Sequence, residues 1–320
     1  MKPIAAPSVR TLLMDSFHPE MMEEAVHGGR MDHIQLGRGR FHGVLLKAHL
    51  EDSELDWGGY NLPLLASGPM PADRITLGYI LAMSDEGNLN GFRFREPAPV
   101  LFGEGGELHY HLAPGTQWAA FQLTRAALEP AGVSLPPRAT LMPRLDAELR
   151  QRLQQTLTNA LALLREIERA APGILDPGAL GVAIREDLLA AFAVALEPAC
   201  SSAIRLERRW DLRLRLVRRA EAFLDAHLTQ PVQIARLCAA TGASMKTLER
   251  AFLEIHGVTP KRFLTALRMS RARRTLLAGA KDRLSVAQVA VDCGVFHLGR
   301  FAVEYRSLYG ESPSATRSRC

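Results

Sequence analysis

The 320-residue sequence predicts an α+β chain in two parts: a small antiparallel β-barrel in front and an all-α double helix-turn-helix behind. Three observations predict it. Residues 31–125 break into short apolar or alternating runs divided by glycine and proline turns. Beyond residue 145 the apolar residues recur at steps of three and four, the period of a helix. The last third also repeats itself. Residues 234–242 (IARLCAATG) overlie residues 286–294 (VAQVAVDCG) at a spacing of 52, and the match resumes after the glycine at a spacing of 53. There Leu248 falls on Phe301, Phe252 on Tyr305, Gly257 on Gly310 and Pro260 on Pro313.

Taken in order, residues 1–30 have weak periodicity and read as a loosely held lead-in. The runs GVLLKAHL (43–50), RITLGYILAM (74–83), APVLF (98–102), ELHYHL (107–112) and QWAAFQL (117–123) read as strands. Turns at Gly58-Gly59, Pro69, Pro71, Gly87-Asn88, Gly105-Gly106 and Pro114-Gly115 punctuate them, which suggests an antiparallel barrel or jelly roll. His42, Trp57, Tyr60, Tyr110 and Trp118 are candidates for a pocket that takes a small-molecule effector; ordinary core packing is the commoner explanation for any one aromatic. Gly103 with His109-Tyr110-His111 fits G-x5-H-x-H, the first half of a cupin metal motif, so the barrel reads as cupin-like. His109 and His111 would share one face of a strand. The glutamate and the downstream histidine that complete the motif are absent, and no cofactor is expected.

Residues 145–170 carry Leu149, Leu153, Leu157, Leu161 and Leu164 on one helical stripe, ended by Pro172-Gly173. A second helix is expected near 179–196. This pair suits either a dimer surface or a cover for the barrel. The domain reading is therefore 1–140 sensor, 141–198 amphipathic helices, 199–213 linker and 214–320 helical domain.

Within the helical domain, a leading helix near 214–227 precedes one beginning at Pro231, where a missing N–H costs nothing. Gly242 is placed for a left-handed turn. Ser244 is placed to cap the next helix, near 245–255, which buries Leu248 and Phe252. Pro260 opens a long helix reaching Leu277, a rod near ~30 Å that separates two readers by about one duplex turn. The rod carries Lys261, Arg262, Arg268, Arg271, Arg273 and Arg274, some for phosphates and others for acidic partners. Ser285 and Gln288 have capping-box spacing, Gly294 makes the second turn, and a helix near 297–308 buries Phe301 and Tyr305. Candidate DNA contacts are Ser244, Met245, Lys246, Thr247, Glu249 and Arg250 in the first unit and His297, Leu298 and Arg300 in the second, with Lys261 and Arg262 on phosphates.

The segments PKRFLTALRMSRARRTLLAG, LSVAQVAVDCGV and FAVEYRSLYGESPSATR resemble the signature of the AraC/XylS transcriptional regulators, over residues 214–318. FHLGRFAVEYRSLYGESPS looks most like regulators of ethanolamine-utilisation operons, with weaker similarity at GRFHGVLLKAHL and GGELHYHL. The resemblance implies a front domain that senses a small molecule, ethanolamine with a cobalamin being one candidate. It also implies recruitment of RNA polymerase, usually for activation. Two departures stand out. The usual Gly-Phe after the second turn is Gly294-Val295, with Phe296 in place to take over that packing. Relatives often carry a base-reading arginine where this chain has Val303.

Charge agrees with this layout. Residues 1–200 hold 17 Lys+Arg against 24 Asp+Glu, and residues 201–320 hold 22 against 10, so the back half is the part suited to a polyanion. No apolar run reaches about 18 residues and no signal-peptide pattern opens the chain, so a cytoplasmic, non-membrane setting is expected. Cys200, Cys238, Cys293 and Cys320 lack CxxC spacing and suit a reducing compartment. The expected partners are double-stranded DNA, RNA polymerase, a small-molecule effector and a second copy of the chain. The expected function is a ligand-responsive transcriptional regulator and not an enzyme. Two alternatives stay open: a cupin-type metalloenzyme with a helical tail, and an interaction protein that has lost DNA reading.

Overall fold

Alternation along the front strands sends successive side chains to two different layers, and that choice organises the molecule. The computed structural model describes residues 8–129, 140–170, 180–200, 204–205, 207–278 and 284–319. Its strands are β1 (Ser8–Met14), β2 (Asp32–Gln35), β3 (Gly43–Leu50), β4 (Ser53–Tyr60), β5 (Leu64–Pro69), β6 (Ile75–Ala82), β7 (Gly87–Leu89), β8 (Phe92–Phe94), β9 (Pro99–Phe102), β10 (Glu107–Leu112), β11 (Gln117–Leu123), β12 (Thr140–Met142) and β13 (Ile204–Arg205). They form two open sheets, ordered β1-β3-β4-β11-β6-β9-β12-β13 and β2-β5-β10-β7-β8.

This is a sandwich rather than the expected closed barrel. The sequence pattern says which face of a strand is buried, but pairing partners are set by long-range register, which alternation does not encode. A second correction concerns the lead-in. Residues 8–14 are β1, paired antiparallel with β3 from Ser8 opposite His49 to Met14 opposite Gly43. Phe17 and Met22 follow it into the core, so a few well-placed apolar side chains anchor a segment that has no clear period.

The helices are α1 (Arg125–Leu128), α2 (Ala147–Ala170), α3 (Leu180–Cys200), α4 (Glu207–Ala226), α5 (Ile234–Thr241), α6 (Met245–His256), α7 (Pro260–Leu277), α8 (Val286–Asp292), α9 (Leu298–Tyr309) and α10 (Pro313–Ser318). The stripe on α2 is spent inside the chain. Leu153, Leu157, Leu161 and Leu164, with Ile184, Leu188 and Phe192 of α3, pack on Leu46, Leu55, Leu77, Tyr79 and Phe121 of the first sheet. Each such buried side chain contributes roughly 1.5–3 kcal/mol. The second sheet's outer face is covered by the helical domain: Ile34, Leu36 and Leu65 join Val217, Leu224, Leu248, Phe252 and Phe263 in one cluster. The layers therefore run α2/α3, first sheet, second sheet, helical domain. The stretch expected as a linker, 199–213, holds β13 paired with β12 and the start of α4 at Glu207.

Candidate nucleic-acid interface

In the first helix-turn-helix, α5 begins at Ile234, three residues later than the position of Pro231 suggests. Gly242 ends it at φ +68, a conformation that β-carbons resist. The Ser244 Oγ accepts the Thr247 N–H at 3.2 Å and starts α6. Leu248 and Phe252 are buried beneath it, which leaves Ser244, Met245, Lys246, Thr247 and Arg250 exposed and Glu249 half-buried. The Arg250 Nε donates to Glu254 Oε1 at 3.0 Å.

The second unit is built on the same plan with different parts. The Ser285 Oγ accepts the Gln288 N–H, but the Gln288 side chain donates to Asp292, so the reciprocal half of the capping box is not made. Gly294 takes φ +74, and a β-carbon there would lie 2.1 Å from the Leu228 carbonyl oxygen. His297 stands at the start of α9 without a side-chain cap bond. Phe301 and Tyr305 are buried, and His297, Leu298 and Arg300 are exposed, with Arg300 Nε donating to Glu304 at 2.7 Å. Val295 is half-buried against the core while Phe296 is half exposed, so Phe296 does not take over the missing phenylalanine's packing.

Between the units runs α7, 18 residues or about 27 Å long, with the Thr259 Oγ1 capping Arg262 N. The structure sorts its cations. Arg268 donates to the Gln230 carbonyl, Arg271 faces Asp225, and Arg274 reaches Glu23 and Asp32. Arg273 is fully buried: it donates to the Phe17 carbonyl, Tyr305 Oη and Thr316 Oγ1, pairs with Glu311 and lies over the Tyr309 ring. Lys261 and Arg262 are exposed and form no ion pair among the described residues.

Residues 237–319 match the family described as Helix-turn-helix domain. Over 99 residues the chain is 38% identical to the probable thc operon regulatory protein of Rhodococcus erythropolis, covering 31% of this chain and 30% of that protein. Over 164 residues it is 30% identical to the HTH-type transcriptional activator RhaS of Escherichia fergusonii, covering 51% of this chain and 55% of RhaS. A solved structure of a probable AraC family transcriptional regulator from Rhodopseudomonas palustris is 35% identical, covering 33% of this chain and 96% of that one, with a TM-score of 0.31. The C-terminal third is a helix-turn-helix domain similar to those of transcriptional regulators.

The front domain holds this helix-turn-helix domain at both ends. On the first unit, Asn88 donates to the Glu254 carbonyl, and Arg218 of α4 pairs with Glu107 at 2.6 Å and reaches His109 Nε2 at 3.2–3.3 Å. His109 and His111 do share one face of β10, and that face meets the helices: the His111 ring lies against Gly257, and the His109 ring centroid is 6.2 Å from that of His256. Burial pushes the His109 pKa down to about 4. Among the described residues, no group of three or more His, Cys, Asp or Glu is arranged to hold a metal. On the second unit, Gln35 is fully buried, and its Nε2 donates to the carbonyls of Gly37, Gly39 and Leu308; the Gly39 N–H donates back to Ser307 and Leu308. Gln35, Arg218 and His256 bear on the interface, yet no local pattern in the sequence marks them.

The opposite face of β10 turns inward. Tyr110, with Tyr60 and Trp118, lines a cavity of about 60 Å³ between the sheets. His33, Tyr60, Thr76 and Tyr110 belong to its lining, and among the described residues Thr76 Oγ1 has no hydrogen-bond partner. Among the described residues, no carboxylate lines it. His42 and Trp57 instead border a separate open pocket with Asp15, Asn61 and Gln117. Among the described residues, no helix is long and apolar enough to cross a membrane.

Proposed function

We propose that the whole chain is a ligand-responsive transcriptional regulator, an activator, that reads two successive major grooves of one duplex. One observation carries the reading: a single chain presents two recognition helices, α6 and α9, joined by an α7 rod of about 27 Å, close to the ~34 Å of one duplex turn. Ser244, Met245, Lys246, Thr247, Glu249 and Arg250 contact the first half-site; His297, Leu298 and Arg300 contact the second; Lys261 and Arg262 neutralise phosphates. The front domain, to about residue 140, is the sensor. Its cavity supports a small, uncharged, largely apolar effector with one or two polar groups for His33, Thr76 and the two tyrosines. Ethanolamine, suggested by the likeness at 296–314, would bring an ammonium to a lining without a carboxylate, and a cobalamin far exceeds the volume. Helices α2 and α3 serve a homodimer through the outward groove where Leu163 and Val194 are exposed. RNA polymerase is the downstream partner, and the cytoplasm is the setting.

The test is selection of genomic fragments by the purified full-length protein, followed by footprinting. Two protected blocks about ten base pairs apart are expected. Binding that is blind to sequence at every salt concentration, with and without candidate effectors, would overturn the reading.

A further inference from the structure

The front domain reaches past the sensor cavity. Its loop 36–40 (LGRGR) is fastened to the C-terminal end of the second recognition helix by Gln35 and by the Gly39 N–H, as described above. Glycine is required along this path. Gly39 lies at φ +113, and a β-carbon on Gly37 would meet the Pro63 ring at 2.5 Å. The loop's course is therefore fixed, and it brings Arg38 to a cleft of about 950 Å³ that it shares with Thr259, Lys261 and Arg262 of the rod and with Val303 and Ser307 of α9.

Several arginines elsewhere on the helical domain are neutralised by acidic partners. Arg250 is paired with Glu254, Arg300 with Glu304, Arg271 with Asp225, and Arg274 with Asp32. Arg38, Lys261 and Arg262 have no ion pair among the described residues, and the one carboxylate in the cleft, Glu304, is already held by Arg300. Three exposed cations from two domains thus converge where the surface lies between the two readers. Duplex DNA presents about one negative charge per 1.7 Å of axis there.

We propose that Arg38 of the front domain binds a backbone phosphate of the same duplex, between the two half-sites and beside Lys261 and Arg262. This rests on the DNA-reading function proposed above. Because Arg38 sits on the sensor rather than on the helical domain, any change in how the sensor docks would alter DNA affinity through this contact without touching a base reader.

The experiment measures DNA affinity of full-length protein against salt concentration. Arg38→Ala is compared with the parent, with Arg38→Lys and with Arg144→Ala, which removes an exposed charge just beyond the front domain that borders a different pocket. Phosphate ethylation interference is run on the same site. The expected result for Arg38→Ala is a log–log salt slope shallower by about 1, unchanged base preferences, and loss of interference at one phosphate between the half-sites. Arg38→Lys should keep most of the slope, and Arg144→Ala should match the parent. Thermal unfolding of Arg38→Ala at the parent's temperature would show that the fold is retained. An Arg38→Ala slope and interference pattern equal to the parent's would overturn this inference alone. An effect of Arg38→Ala seen only when a small anionic ligand is added would also overturn it, in favour of a ligand contact. A parent protein that binds no DNA would sink the functional reading, and this inference with it.

Discussion

The two helix-turn-helix units descend from one pattern, yet their equivalent positions are filled by residues that do different things. Ser244 and His297 occupy the same place before their recognition helices; the first caps its helix with a hydroxyl and the second makes no cap bond. Arg250 in α6 corresponds to Val303 in α9, which is 69% exposed and offers DNA no hydrogen bond. The turn glycines differ in the opposite sense. Gly242 has open space around it, whereas Gly294 is pressed against the Leu228 backbone. On the proposed function, the first unit offers the bases more polar groups and its turn is roomy, whereas the second is more tightly built in and offers fewer. A shared backbone plan does not guarantee a shared share of specificity.

Four measurements can break or sharpen that contrast. The largest effect is expected at the turns. Gly294→Ala should lower stability by about 3 kcal/mol, from left-handed strain plus a backbone clash, while Gly242→Ala should cost only about 1 kcal/mol, the strain alone. Thermal denaturation decides, and equal losses would refute the difference in packing. Acid comes next. The front domain holds the first unit through His109, whose pKa burial lowers from 6.5 to about 4, and the second mainly through backbone carbonyls and Arg273. A depressed histidine pKa contributes stability that is complete above pH 6.5 and is lost as pH falls from there through about 4, here of order 3 kcal/mol. Hydrogen exchange between pH 6.5 and 4 should therefore accelerate in α6 before α9, and His109→Gln should remove that order.

Binding gives the third measurement. Arg250→Ala should cost about 2 kcal/mol of affinity at the cognate site and relax preference at one base pair, with a smaller loss for Arg300→Ala. Val303→Arg should give the second half-site a new preference. If Arg300→Ala is the more damaging change in a competition assay, the ranking of the two readers is reversed. The smallest effect is at the cap: His297→Ser should stabilise the protein by about 0.5 kcal/mol, and Ser244→Ala should destabilise it by about 1 kcal/mol.

What the sequence revealed follows the same division between local and long-range causes. The turn glycines, the Ser244 and Ser285 caps and the start of α7 at Pro260 are local chemistry, and each stands where its residue type demands. Strands β3, β10 and β11 were legible because one face is apolar and the turns are sharp. β4 was not, because Glu54 and Asp56 point to the inside of the sandwich, where Gln122, Lys47 and His49 answer them. The open sandwich depends on pairings such as β4 with β11, more than fifty residues apart. Arg38 illustrates the same limit at the interface: nothing within LGRGR announces that a neighbour some 270 residues further along fixes the loop. The exposed positions on α6 and α9 were visible because a helix has a period; the residues that seat the front domain on these helices were not.

The buried guanidinium of Arg273 has a consequence for anyone who would treat the two halves as interchangeable parts. One of its acceptors, the Phe17 carbonyl, comes from the segment just after β1, while the others come from α9, the turn that follows it and α10. Grafting the C-terminal third onto a foreign N-terminal domain would strip that acceptor from a side chain that has no access to solvent here, at a cost of about 1–3 kcal/mol. A working chimera would have to carry residues 8–17 along with the helices. The natural seam for recombination therefore does not coincide with the boundary seen along the chain.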